Sequence, residues 1–219
     1  MALIGLVHTT RLVIDPVHTA LADSLPDIEM SHVLDEGILR RLSSLGRITP
    51  EIVTWLTKMV ATTEDAGADL AVVSCSSLSP CVNEVRRQVA IPVVKVDEPM
   101  FEHAIQHGSR IGLIMTNPTT WEPSQLLFEE VSSRLERRVE LIPRLCPKAF
   151  AKLNRGDVAG HDLEVGAAVK ELLQEVDLLM LAQISIARVK NDVAISDADR
   201  VLSSLDFIAG KARAMLGYC

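Results

Sequence analysis

The sequence predicts an α/β fold of two similar lobes, each a short, mainly parallel sheet flanked by helices. Apolar runs of strand length alternate with amphipathic segments of helix length, which is the pattern of parallel strands joined by crossover helices. The runs are almost continuously apolar, as strands covered on both faces require. Two similar sequence segments, at residues 3–10 and 110–120, also begin the two halves of the chain. We therefore expect two packed lobes with the functional site in the cleft between them.

Hydrophobic periodicity places the individual elements along the chain. Strands are predicted at residues 3–8, 28–33, 70–74, 93–96, 110–115, 139–142, 178–182 and 193–195. Helices are predicted at residues 15–24, 36–45, 50–66, 79–89, 99–107, 119–137, 162–175 and 197–216. The helix over 50–66 has an N-cap threonine at Thr49, Pro50 in its first position and Glu51 in its first turn. Gly67 suits its C-terminal end.

An internal duplication explains the repeated sequence segment. About 67 residues separate Gly5 from Val72 in the first half and Gly112 from Leu179 in the second. Val72 and Leu179 each lie in an apolar strand that ends in small polar residues. The two halves therefore read as copies of one α/β unit.

Composition excludes several classes of function. The chain has 219 residues, a net charge of −7 and 48% apolar residues, so it can bury a sizeable core but lacks the basic surface that nucleic acid or anionic membranes require. No run reaches the length of a membrane span, and the N-terminus lacks a basic signal-peptide region. No glycine-rich phosphate loop follows the first strand, which disfavours dinucleotide oxidoreductases. The widely spaced cysteines predict reduced thiols in a cytoplasmic protein and no metal site: Cys75, Cys81, Cys146 and Cys219.

Cys75 is the residue most suggestive of chemistry. It follows the apolar strand 70–74, and the run 74–80 reads Ser-Cys-Ser-Ser-Leu-Ser-Pro, typical of a helix start. A thiol there lies at the strand's carboxyl end, where ligands bind in open α/β sheets, and faces N–H groups that lower a thiol's pKa. The alternative is a small buried cysteine with a packing role only.

The duplicated halves, the Cys-Ser-Ser-Leu-Ser turn and the Thr-rich turn at 116–120 together resemble the aspartate/glutamate/hydantoin racemase superfamily over essentially the whole chain. The resemblance implies two cysteines at equivalent turns of the two lobes, facing each other across a small carboxylate substrate. One removes a proton next to the carboxylate and the other delivers one to the opposite face, without metal or organic cofactor. Cys75 matches the first cysteine.

The resemblance also implies domain bounds. The last helix, 197–216, is expected to return to the first lobe, which would comprise residues 1–97 and 197–219, with 98–196 forming the second lobe. We further expect a homo-oligomer, a dimer or higher.

Gln183 stands where the second cysteine of the family would lie. An amide neither accepts nor releases a proton near neutral pH, so three interpretations remain open. Cys75 could act alone through an enolate, or it could protonate an enediolate left by decarboxylation. A second base could instead come from Cys146, just past a second-lobe strand, or from His8, at the end of the first strand, where its titration suits acid–base work.

Candidate substrate-binding groups cluster at the strand-to-helix turns, where hydroxyls, amides and N–H groups hold carboxylates. The same residue types are also ordinary helix caps, and both roles are compatible. Arg188 and Lys190, beyond Gln183, either contact a second carboxylate or are simply solvated. The substrate-binding candidates are Ser76, Ser77, Thr116, Asn117, Thr119, Thr120 and Ser185.

The resulting hypothesis is a cofactor-independent isomerase or racemase acting at the carbon next to the carboxylate of a small acid. Cys75 is its acid/base, with Gln183 and His8 as further catalytic candidates. A decarboxylase that uses the same thiol and a non-catalytic carboxylate-binding relative are the alternatives.

Overall fold

A computed structural model describes residues 2–218, so Met1 and the fourth cysteine, Cys219, lie outside the described residues. The described chain divides into two compact units. The first comprises residues 2–97 and 207–218, and the second residues 98–206. The predicted α/β class, with a parallel sheet in each half, is confirmed.

The first unit is built on a four-stranded parallel sheet of order β2-β1-β3-β4. Its strands are β1 (Leu3–His8), β2 (Glu29–Leu34), β3 (Leu70–Val73) and β4 (Val93–Lys95). Its helices are α1 (Ile14–Ser24), α2 (Glu36–Leu45), α3 (Pro50–Asp65) and α4 (Ser79–Val85). The central strand β3 is wholly buried, as its unbroken apolar run predicts.

The second unit repeats this architecture with the strand order β6-β5-β7-β8, again all parallel. Its strands are β5 (Arg110–Met115), β6 (Glu140–Leu145), β7 (Leu178–Leu181) and β8 (Val201–Ser203). Its helices are α5 (Glu98–His107), α6 (Trp121–Arg134), α7 (Pro147–Asn154) and α8 (Val158–Leu172). The last helix, α9 (Leu205–Met215), begins in this unit and continues into the first.

Helix α3 packs closely against β1. Thr49 caps it by accepting a hydrogen bond from Ile52 N, and Pro50 occupies the first position, as predicted. A Cβ added at Gly5 would overlap the side chain of Thr63 on α3, so glycine at this position allows the helix to approach the strand.

The structure departs from the sequence prediction near the end of the second unit. The predicted strand 193–195 does not form, because Ile184–Asp192 and Ile195–Arg200 are 3₁₀ turns. The predicted helix 197–216 starts only at Leu205, since residues 201–203 pair with β7 as β8. Residues 197–206 therefore lie in the second unit rather than in the predicted first lobe. The sequence analysis did not predict helix α7, at Pro147–Asn154.

No helix among residues 2–218 is both long enough and apolar enough to cross a membrane.

Candidate active site

Cys75 lies directly beyond the carboxyl end of β3 and is the N-cap of a 3₁₀ turn, Ser76–Leu78, that leads into α4. Three neighbouring groups act on the pKa of its thiol: the Thr9 hydroxyl and the backbone N–H groups of Ser77 and Leu78, of which the Leu78 N–H donates to the Cys75 carbonyl at 3.0 Å. The residue is buried at the carboxyl end of the strand, where it packs against the apolar core of the first unit.

Burial decides the acidity of this thiol. Loss of solvation raises the pKa of Cys75, and it outweighs the hydrogen bonds from Thr9, Ser77 and Leu78, which lower it. The nearby charge of Asp97 raises the pKa further. The prediction of a lowered pKa is therefore wrong for this structure. The thiol form is favoured at neutral pH.

Asp97 is a neighbour that sequence reasoning missed. It is buried beyond the end of β4, and its Oδ1 accepts a hydrogen bond of 2.7 Å from the Ser79 hydroxyl. Burial raises the pKa of its carboxyl, against the lowering effects of Ser79 and Lys95. The signal available was Lys-Val-Asp at 95–97, two charges on alternate positions of an otherwise apolar run.

His8 is buried beneath this edge of the sheet, and both of its ring nitrogens are engaged. Nδ1 lies 2.8 Å from the Ser74 hydroxyl and Nε2 lies 3.0 Å from Nδ1 of His32. Burial, followed by the charge of His32, lowers the pKa of His8 to about 4. In this arrangement His8 is a neutral group inside a hydrogen-bond chain, with neither nitrogen directed at a substrate.

Strand register shows which residue of the second unit corresponds to Cys75. Gly5 pairs with Ala71 across β1 and β3, whereas Gly112 pairs with Leu179 across β5 and β7. The sequence analysis matched Val72 with Leu179, and that match is shifted by one residue. The counterpart of Leu179 is Ala71.

Backbone hydrogen bonds extend this correspondence into the turns. Ser74 N donates to Val7 O at 3.0 Å, and Ala182 N donates to Ile114 O at 2.9 Å in the equivalent place. The next residues are Cys75 and Gln183, and each is the N-cap of a 3₁₀ turn. Gln183 thus occupies the position that Cys75 holds in the first unit.

The Gln183 side chain is bound to its own turn. Its Oε1 accepts hydrogen bonds from Thr116 N at 2.6 Å, Thr116 Oγ1 at 3.1 Å and Asn117 N at 3.1 Å. Thr116 follows β5 as Thr9 follows β1, so the pairs Thr116–Gln183 and Thr9–Cys75 are equivalent contacts. Three predicted site residues are therefore brought together.

The remaining candidates in the second turn make local contacts. Asn117 Oδ1 accepts from Thr119 N at 3.1 Å as a helix cap, and Thr120 is buried. The Ser185 carbonyl accepts a 2.7 Å hydrogen bond from Arg188. In the first turn, Ser76 is half-buried and Ser77 is buried.

Arg188 is exposed and Lys190 is half-buried, and each is paired with a carboxylate of the protein. Arg188 binds both carboxylate oxygens of Asp162, through Nε at 2.8 Å and through a terminal nitrogen at 2.7 Å. Lys190 pairs with Asp206 at 2.8 Å. Both cations beside the second turn are thus held by carboxylates of the protein.

The other cysteines have packing positions. Cys146 caps the start of α7 and packs against the core of the second unit, and burial raises its pKa. Cys81 is buried in the core of the first unit, where burial and the nearby Cys75 raise its pKa to about 12. No group of three or more histidine, cysteine, aspartate or glutamate side chains within residues 2–218 is arranged to hold a metal ion.

Two parallel sheets of the same strand order, each followed by a capped turn that carries a thiol or its replacement, define a duplicated α/β protein of the racemase type. The chain belongs to the Asp/Glu/Hydantoin racemase family, whose model matches residues 8–211.

Individual relatives support this assignment. A glutamate racemase of Mycobacterium tuberculosis is 28% identical, with 88% of this chain and 76% of that protein covered. The structure resembles a glutamate racemase isoform from Bacillus anthracis with a TM-score of 0.78, at 19% identity over 99% of this chain and 82% of that one. It also resembles the aspartate racemase of Picrophilus torridus, with a TM-score of 0.74 at 11% identity over 99% and 95%.

Proposed function

We propose that this protein is a cofactor-independent isomerase of the racemase or epimerase type, acting at the carbon next to the carboxylate of a small acid, with Cys75 as its acid/base. The observation that carries the proposal is the position of Cys75, just past the carboxyl end of β3 at the start of the 76–78 turn, in a chain of the racemase family. This is the edge of a parallel sheet at which ligands bind in open α/β folds. The relatives' names point to amino-acid-like acids as the first substrates to test.

The proposed chemistry is removal of a proton next to the carboxylate, followed by delivery of a proton at a place that changes the substrate. The Cys75 thiolate forms an S–H bond as the C–H bond next to the carboxylate breaks, and the electron pair delocalises into the carboxylate as an enediolate. The isomer results when a new C–H bond forms, either on the opposite face through a second proton donor or at a neighbouring carbon through the Cys75 thiol. The donors from Thr9, Ser77 and Leu78 stabilise the thiolate during its transient existence.

Gln183 takes no part in proton transfer. We propose that its amide N–H₂ donates a hydrogen bond to an oxygen of the substrate or to the developing enediolate, which is electrostatic stabilisation. A single thiol then exchanges the proton on one face, unless Cys146 or His8 supplies a second base. His8 would require the His8–His32 bond to open first.

The turn residues remain proposed substrate contacts. They offer hydroxyls and N–H groups at the carboxyl ends of strands, where carboxylates bind in related folds. The set is Ser76, Ser77, Thr116, Asn117, Thr119, Thr120 and Ser185. The homo-oligomer and the cytoplasmic setting remain predictions.

One observation favours a decarboxylase as the second candidate. The raised pKa of Cys75 keeps a proton on sulfur at neutral pH. In a decarboxylase the C–C bond to a carboxylate breaks, CO₂ leaves, and the resulting enediolate takes the proton from the thiol. Water then returns a proton to the thiolate.

Proton NMR in deuterated water tests the proposal, with a panel of amino acids, hydroxy acids and 2-substituted malonic acids. Exchange of the α-hydrogen with inversion indicates two bases, exchange without inversion indicates Cys75 alone, and loss of CO₂ indicates the decarboxylase. Cys75→Ala should reduce the observed rate by about 10²–10⁴-fold. Cys81→Ala controls for lost packing in the same core, since it should retain the rate wherever the variant is folded. Full activity of Cys75→Ala would refute the proposal.

A further inference from the structure

The Gln183 amide oxygen occupies a site built for an anion. Two consecutive backbone N–H groups and one hydroxyl, from Thr116 and Asn117, converge on a single oxygen at 2.6 to 3.1 Å. Backbone N–H groups only donate, so the oxygen and not the nitrogen of the amide must face them. This donor set suits a carboxylate oxygen equally well.

The two basic side chains that follow Gln183 in the chain are paired with carboxylates of the protein. Arg188 is neutralised by Asp162, and Lys190 is paired with Asp206. Within residues 2–218 no group accepts a hydrogen bond from Gln183 Nε2. The half-buried side chain therefore offers a neutral N–H₂ group, while its oxygen stays on the backbone donors.

We infer that Gln183 is a specificity-determining residue, which fills the anion site of the second turn with a neutral amide and so keeps a second substrate carboxylate off the Thr116 and Asn117 donors. The substrate class is then an acid that places no second carboxylate on these donors, and the Gln183 N–H₂ group is its contact at this turn. A second carboxylate at this turn would have to displace three hydrogen bonds, and the two cations that follow Gln183 in the chain, Arg188 and Lys190, are already paired. The inference rests on the proposed function only in treating this turn as a substrate contact.

The experiment uses Gln183→Ala, which removes a fragment with the size and chemistry of acetamide. Backbone amide shifts of Thr116 and Asn117 are followed by ¹H–¹⁵N NMR in the full-length protein during titration with sodium acetate and, separately, with acetamide. We expect both molecules to shift these two amides in the variant, with acetate bound at least about tenfold more tightly than by the wild type, as one charge-assisted hydrogen bond provides. Gln125→Ala, an exposed glutamine-to-alanine change on α6, should behave like the wild type.

Two results would overturn the inference. If acetate shifts the Thr116 and Asn117 amides equally in the wild type, Gln183 does not block the site. If acetate shifts neither amide in Gln183→Ala, nor in Gln183→Ser as a second folded variant, the donors do not form an anion site. Neither result depends on turnover, so a failed activity screen would leave this test intact, and a failed titration would leave Cys75 chemistry untouched.

Discussion

Nε2 of His8 lies 3.0 Å from Nδ1 of His32, in a chain that connects a buried hydroxyl to the protein surface. Ser74 Oγ donates to Val7 O at 3.1 Å, so it accepts from His8 Nδ1–H. His8 Nε2 must then accept from His32 Nδ1–H. The outer nitrogen of His32 lies 3.1 Å from His18, which is exposed. The network therefore assigns a neutral Nδ1–H tautomer to His8.

This arrangement predicts a loss of stability in mild acid. The pKa of His8 is lowered from 6.5 to about 4, so the unfolded chain binds more protons than the folded one between these values. The stabilising contribution is complete above pH 6.5 and is lost as the pH falls toward 4. The free energy of unfolding, measured with urea, should decrease between pH 7 and pH 4 in both the wild type and His8→Gln. The decrease should be larger in the wild type, by on the order of 3 kcal/mol. His107→Gln, an exposed change on α5, should keep the wild-type slope, and equal slopes for His8→Gln and wild type would contradict the prediction.

The neighbouring carboxyl should control the reactivity of the thiol. Asp97→Asn keeps an acceptor for Ser79 but removes a charge that raises the pKa of Cys75. The rate of Cys75 alkylation by iodoacetamide is measured by mass spectrometry across pH. In Asp97→Asn its pH profile should shift to lower pH, and the rate at neutral pH should rise by up to about tenfold, which corresponds to a pKa lowered by about one unit. Asp65→Asn, exposed at the end of α3, should leave the profile unchanged. A profile for Asp97→Asn that matches or lies above the wild-type one would count against this electrostatic link.

The donors around Gln183 should also stabilise a carboxylate placed there covalently. In Gln183→Glu, the contacts from Thr116 and Asn117 should lower the folded-state pKa of the new carboxyl below its unfolded value of about 4.3. The variant should therefore gain stability relative to wild type above pH 4.3, by about 1 kcal/mol or more, and lose that gain as the pH falls. Gln125→Glu, next to Glu129, should show the opposite trend because it brings like charges together. Denaturant unfolding at several pH values compares the two, and a matching trend would contradict the role assigned to the turn.

The approach of α3 to β1 predicts a stability difference between two glycine substitutions. Gly5→Ala puts a methyl group against Thr63 and should destabilise the protein by about 1–3 kcal/mol. Gly210→Ala, at an exposed position of α9 with open space around it, should stabilise the protein by about 0.5–1 kcal/mol. Thermal and denaturant unfolding would measure both, and a neutral Gly5→Ala would mean that α3 does not pack on β1 as described.

The sequence predicted the site unevenly. Cys75 and its turn were identifiable because a small polar run after a buried strand is a local signal. The engagement of Gln183 by Thr116 was not, because the two residues are distant in the chain and meet only when β5 and β7 pair. His32 and Asp97 were missed for the same reason: each becomes a neighbour of a site residue only through strand order.

By itself, the sequence determined the class of fold, most element positions and the duplication, because these follow from short-range hydrophobic periodicity and turn chemistry. Bounds failed where the signal was shortest, at the three residues of β8, which became a strand by pairing with β7 rather than by their own pattern. Only the tertiary structure decided the direction of the Cys75 pKa, since burial there outweighs the N–H groups that the turn supplies. It likewise decided that both ring nitrogens of His8 are hydrogen-bonded and that Gln183 Oε1 accepts hydrogen bonds from Thr116 and Asn117. Both depend on long-range contacts, which local sequence does not specify.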